Sequence, residues 1–138
     1  MALFGLGKKK QPQLTAEELR WNALWERWAN GEAPSPLAEI MTYQSEVNNG
    51  GHDQFFFNVS NTGDLSAMLA ALFGALPEHH AANLRRAHEA YQALEARGED
   101  AQAEAVLAQC DAAFYEREEE INALLRACAA DTTNGEAL

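Results

Sequence analysis

The apolar residues of this chain recur with the period of a helix and nowhere with that of a strand. Leu65, Met68, Leu69, Leu72, Phe73 and Leu76 keep a 3.6-residue repeat without a miss between Asp64 and Pro77. Trp21, Leu24, Trp25 and Trp28 do the same earlier, as do Leu37, Ile40, Met41, Tyr43 and Val47, and later Leu84, Ala87, His88, Tyr91 and Leu94. Ala is abundant while Val and Ile are scarce, and β-branched side chains are the ones that lose rotamer freedom in a helix. The expected fold is all-α: a single domain of 138 residues built as an irregular bundle of about six to seven helices, with no internal repeat.

Punctuation along the chain sets the expected boundaries. Residues 1–13 read as a flexible N-terminal tail, 14–130 as the helical acidic domain and 131–138 as a loose C-terminal tail. Thr15 and Glu18 have the spacing of a capping box, and Asn30-Gly31 stops the first helix. Ser35-Pro36 reads as N-cap and first helical residue of the second. Asn48-Asn49-Gly50-Gly51 ends that helix, a short aromatic helix follows over 52–58, and Ser60–Gly63 reads as a turn before Asp64 caps the next helix. Pro77 separates two helices and Gly98 closes the second of them. The path Val106, Leu107, Cys110, Phe114, Ile121, Leu124, Leu125 and Cys128 reads as two helices parted near 114–116. The three tryptophans read as core rather than as a stacking platform, because no basic residues cluster beside them.

Charge narrows the function classes. The chain has 21 Asp and Glu against 10 Lys and Arg, a net charge of −11. Three of the bases, Lys8, Lys9 and Lys10, stand together in the expected tail. Direct nucleic-acid binding needs clustered bases and is not expected; a basic protein partner is, with salt-sensitive attraction. Met1–Gly7 is apolar but short, and its lysines follow it instead of preceding it, so neither a signal peptide nor a membrane role is expected and the location reads as cytoplasmic. Cys110 and Cys128 sit on apolar helix faces without a C-x-x-C and read as small buried hydrophobes.

Catalytic and metal chemistry find no footing. No G-x-S-x-G or comparable nucleophile context occurs, Gly50-Gly51 is not followed by a Lys, and His52, His79, His80 and His88 lack H-E-x-x-H or E-x-x-H spacing. No catalytic residue, metal or cofactor is expected, and the chain reads as a non-enzyme. His79 and His80 read as solvated in a first helical turn, and His88 as a core histidine.

The acids are concentrated. Ten fall between Glu89 and Glu120, opposed there only by Arg97 and Arg117. Several are helix neighbours of like sign, such as Glu95/Glu99, Asp100/Glu104 and Glu116/Glu120. Such pairs lie roughly 5–6 Å apart at Cβ, close to the step between phosphates on a strand. The expected partner surface is Glu95, Glu99, Asp100, Glu104, Asp111, Glu116, Glu118, Glu119 and Glu120.

The segment Glu46-Val-Asn-Asn49-Gly50-Gly51-His-Asp-Gln54-Phe55-Phe56-Phe57-Asn58 resembles the E-x-x-N-G-G-x-x-Q-F-F-x-N hallmark of a bacterial family typified by a DNA-mimic protein. Leu107–Tyr115 resembles a second, weaker family segment. The resemblance implies an all-α fold, a homodimer, and an acidic surface that occupies the DNA-binding site of a basic DNA-binding protein or transcription regulator. The hallmark itself reads as structural: Asn49-Gly50-Gly51 turns the chain, Glu46, Gln54 and Asn58 bond exposed backbone groups at the turn, and Phe55 and Phe56 fill the core. Two alternatives stay open: an immunity or antitoxin-like inhibitor of a basic toxin, and a small-ligand pocket made by Glu46, Asn49, His52 and Gln54.

Overall fold

The computed structural model describes residues 13–136, and these form an all-α body of six helices with no strand among the described residues. They are α1 (Ala16–Ala29), α2 (Leu37–Thr62), α3 (Leu65–Ala75), α4 (Glu78–Arg97), α5 (Ala101–Glu116) and α6 (Glu118–Glu136). Residues 1–12, most of the expected N-terminal tail, lie outside the described residues, as do 137 and 138.

The caps are those the sequence chemistry requires. Thr15 Oγ1 accepts from the Glu18 N–H at 3.1 Å, and Glu18 Oε1 accepts from the Thr15 N–H at 2.8 Å. Asp64 Oδ1 caps α3 through Ala67 at 3.1 Å, and Asp100 Oδ1 caps α5 through Ala103 at 3.0 Å. Gly98, at φ +80°, closes α4 in a backbone region that side-chain-bearing residues avoid. The path from 101 to 129 is broken at Arg117 (φ −122°, ψ 20°), which separates α5 from α6.

Helix α2 is the axis of the bundle: each of the other five helices touches it. Its fully buried Tyr43, Phe55 and Phe56 join Phe114 of α5, Leu72 of α3, Leu84 of α4 and Ile121 and Leu125 of α6. Tyr43 meets Phe55 and Phe114 edge to face at 5.1 and 5.4 Å, the arrangement ring quadrupoles favour. Helices α4 and α5 lie side by side as a hairpin, and α1 packs against α6 and α2.

Several expectations shift. Pro36, not Ser35, occupies the N-cap of α2, and Ser35 Oγ donates to Glu39 Oε2 instead. The aromatic helix runs on to Thr62 because Thr62 Oγ1 donates to the Asn58 carbonyl and the Gly63 N–H reaches Val59 O, absorbing the expected turn. The backbone of α6 continues to Glu136 rather than stopping near 129, there being no Gly or Pro before Gly135. The tryptophan stripe is half-buried, packed against the core on one side and open on the other.

His80 is not solvated, unlike its exposed neighbour His79; it is fully buried beside Phe114, with Nε2 2.8 Å from the Arg117 carbonyl oxygen at the α5–α6 break. Nε2 therefore carries the hydrogen and donates, while Nδ1 has no partner. Burial pushes the His80 imidazole below its ordinary pKa of 6.5, and partial burial does the same to His88. Both folded-state pKa values lie below the unfolded ones, so the unfolded chain takes up protons first and stability falls as pH drops below about 6.5. Urea-denaturation midpoints should decline from pH 7 to pH 5, and His80→Gln should flatten that decline; an unchanged slope in the variant would remove His80 from the account.

Candidate interaction surface and the glycine turn

The hallmark segment folds as a break within α2. Gly50 (φ −161°, ψ 19°) and Gly51 (φ +80°, ψ −178°) leave helical geometry, and helix resumes on both sides. Gly51 is needed twice over. Its positive φ disfavours any side chain, and a Cβ built there would lie 2.5 Å from Asp111 Oδ2. The Asp111 carboxylate of α5 takes that space. Its Oδ1 accepts from the His52 N–H at 2.9 Å and lies 2.7 Å from His52 Nδ1. Across the buried His52 ring, Nε2 lies 2.7 Å from the hydroxyl of buried Tyr43. With Nδ1–H donating to the carboxylate, Nε2 is left to accept from Tyr43. Burial holds the Tyr43 hydroxyl well above its ordinary pKa, so it stays protonated and able to donate.

The acid and amides of the hallmark bond one another, not exposed backbone groups as the sequence suggested. Glu46 Oε1 accepts from Gln54 Nε2 at 3.1 Å and Oε2 from Asn58 Nδ2 at 2.9 Å. One carboxylate before the break thus holds two amides after it. The alternative ligand pocket of Glu46, Asn49, His52 and Gln54 is not assembled: Glu46 and Gln54 are paired, His52 is buried, and Asn49 stands apart on the surface. Phe55 and Phe56 are fully buried.

The second family-like segment, Leu107–Tyr115, packs directly on the first. Besides Asp111 on His52, it places Phe114 on Tyr43 and sends the Tyr115 hydroxyl to the Val47 carbonyl at 2.8 Å. The Asp111–His52 contact spans 59 residues, and the one signal for it in the sequence was that both residues fall in family-like segments.

The nine candidate acids divide by surroundings. Asp111 and Glu118 are half-buried and hold internal bonds; Glu118 Oε2 accepts from Gln44 Nε2 at 2.9 Å and Asn48 Nδ2 at 2.6 Å. Three meet arginines: Asp100 with Arg97 at 2.7 Å, Glu119 with Arg126 at 2.7 Å and Glu120 with Arg117 at 3.5 Å. The N-cap bond from Ala103 is the main cause holding Asp100 below its ordinary pKa, and the bond to Arg126 does so for Glu119. Glu95, Glu99, Glu104 and Glu116 are exposed and form no ion pair with another of the described residues. On α5, Glu104 and Asp111 are seven residues apart on one face, about 10 Å along the axis at 1.5 Å per residue. Among the described residues no group of three or more His, Cys, Asp and Glu could hold a metal ion, and no helix is long and apolar enough to cross a membrane.

Gly51→Ala should destabilise the fold by about 2–4 kcal/mol, since it combines strained backbone with displacement of Asp111 from His52. Guanidinium unfolding measures this, and a loss below about 0.5 kcal/mol, the range of ordinary surface substitutions, would contradict the packing described.

No curated protein and no solved structure matches the chain significantly. A family model described as DMP19-like protein matches residues 36–131, which take in the glycine turn, the Asp111 segment and all nine acids. With both family-like segments joined at the Asp111–His52 contact and the match covering most of the chain, this protein belongs to the DMP19-like family.

Proposed function

We propose that this protein is a DNA mimic: an acidic interaction protein that binds a basic DNA-binding protein and blocks its access to DNA. The observation that carries the reading is family membership joined to a net charge of −11. The exposed carboxylates of Glu95, Glu99, Glu104 and Glu116, on and beside the α4–α5 hairpin, are the contact groups, because an exposed carboxylate can meet a partner's cation at little desolvation cost. Those in local pairs with exposed Arg97, Arg117 and Arg126 can exchange partners, since such surface pairs are weak. Asp111 and Glu118 contribute to the field while serving the fold.

The test is capture of basic proteins from the native host lysate at about 0.05 M and 0.5 M salt, with duplex DNA as competitor. Recovery of a DNA-binding protein at low salt, displaced by DNA, is expected. Replacing Glu95, Glu99, Glu104 and Glu116 together by Gln should weaken its binding by roughly tenfold or more without lowering thermal stability. A basic partner that is a toxin nuclease would favour the immunity reading, and salt-indifferent binding would remove both.

We also infer a homodimer through α3. That helix carries no charged residue, exposes Ser66, Ala67, Ala70 and Gly74, and borders an apolar groove of about 490 Å³ lined by Leu65, Leu69 and Phe73. An uncharged helix face on so acidic a chain suits contact with its own copy, where like charges must be kept away. Light scattering should give a dimer for the wild type and a monomer for Ala70→Glu.

A further inference from the structure

On the side of the bundle formed by α1, α2 and α6, an open groove of about 560 Å³ is lined by Trp21, Trp25 and Trp28 together with Gln44, Asn49 and Asn122, and no lining residue carries a formal charge. The indoles stand edge to face, with centroids 6.0 Å apart for Trp21–Trp25 and 5.3 Å for Trp25–Trp28. Trp28 is fixed by its indole N–H, which donates to Thr42 Oγ1 at 3.0 Å.

The polar groups of the groove have hydrogen-bond acceptors to spare. Gln44 is 4% exposed; its Nε2 donates to Glu118 and to Asn122 Oδ1, but its Oε1 is buried without a partner. Asn49, the hallmark residue that takes no part in the glycine turn's bonding, lines the same groove. Behind the amides stand two carboxylates: Glu118, on Gln44 and Asn48, and Glu119, on Asn122 at 3.3 Å. Aromatic faces, unused acceptors and nearby negative charge together suit a flat cation rich in donors. The chain already holds one such group: the Arg126 guanidinium lies 5.4 Å from the Trp21 ring centre, 2.7 Å from Glu119 and 3.9 Å from Glu17.

Resting on the reading of a basic partner, we propose that the Trp25–Trp28 part of this groove receives an arginine side chain of that partner, the guanidinium stacking on indole and donating to Gln44 and Asn49, with the Glu118 charge behind them. Lysine is the poorer occupant because its ammonium is a compact, strongly hydrated point charge that cannot stack or fork. The groove thereby adds a side-chain preference to an attraction that charge alone would leave indifferent between the two.

All three tryptophans of the chain line this groove, so tryptophan emission reports on it. The probes are hexa-arginine and hexa-lysine peptides titrated into the full chain at about 0.15 M salt. The arginine peptide should shift tryptophan emission and bind roughly fivefold or more tightly than the lysine peptide. Asn49→Lys should abolish that preference, whereas Gln102→Lys, an equal change of charge in the α4–α5 groove, should leave it intact; both positions are exposed, which spares the fold. Equal affinities with unchanged emission, or equal effects of the two variants, would overturn the arginine site and leave the basic-partner reading standing. Failure of both peptides to bind even at about 0.05 M salt would count against that reading as well.

Discussion

The fold turns on a single carboxylate. Asp111 fills the space that a side chain at residue 51 would occupy and bonds the backbone and ring of His52. Helix α2 can therefore break at Gly50-Gly51 without leaving the buried His52 N–H unbonded in the interior, where an unmade bond costs about 1–3 kcal/mol. The break redirects the second half of α2, so Phe55 and Phe56 meet Tyr43, Phe114 and Tyr91 in one aromatic cluster. Since every other helix touches α2, a change in that angle would be felt throughout the bundle.

Two polar devices fix the same bend from opposite sides. The Glu46 carboxylate holds Gln54 and Asn58 across it, and the Asp111–His52–Tyr43 chain ties it to α5. Both Glu46 oxygens, Asp111 Oδ1 and His52 Nε2 each meet a donor, so the network favours one geometry instead of a range of loosely packed ones. The α4–α5 hairpin is tied to α2 by Asp111, and it carries exposed carboxylates that form no ion pair among the described residues.

The acids contribute unequally to that surface. Asp111 and Glu118 look like their neighbours in the sequence, yet one closes the glycine turn and the other gathers Gln44 and Asn48. Nothing in a run such as Glu116–Glu120 distinguishes a carboxylate facing solvent from one facing an amide, because a step of one residue turns the side chain by about 100° and the break at Arg117 resets the phase. His80 differs from expectation through the same break: its place in a first helical turn suggests water, while the α5–α6 break brings a backbone carbonyl over it.

Local chemistry alone determined that the chain is helical and where several helices begin and end. A capping box needs only Thr15 and Glu18, an N-cap only Asp64 or Asp100, and a helix stop only Gly98, since each acts within one turn of chain. Composition likewise determined the sign of the field. Only the tertiary structure decided which acids remain exposed, that Glu46 binds amides rather than backbone, and that three tryptophans form a groove instead of a core. Those outcomes depend on contacts between residues far apart in the chain, such as Gln44 with Asn122, 78 positions on, and on the rotation of each helix about its axis. Sequence period gives the apolar face of a helix, but only packing against the other helices selects what the remaining faces meet.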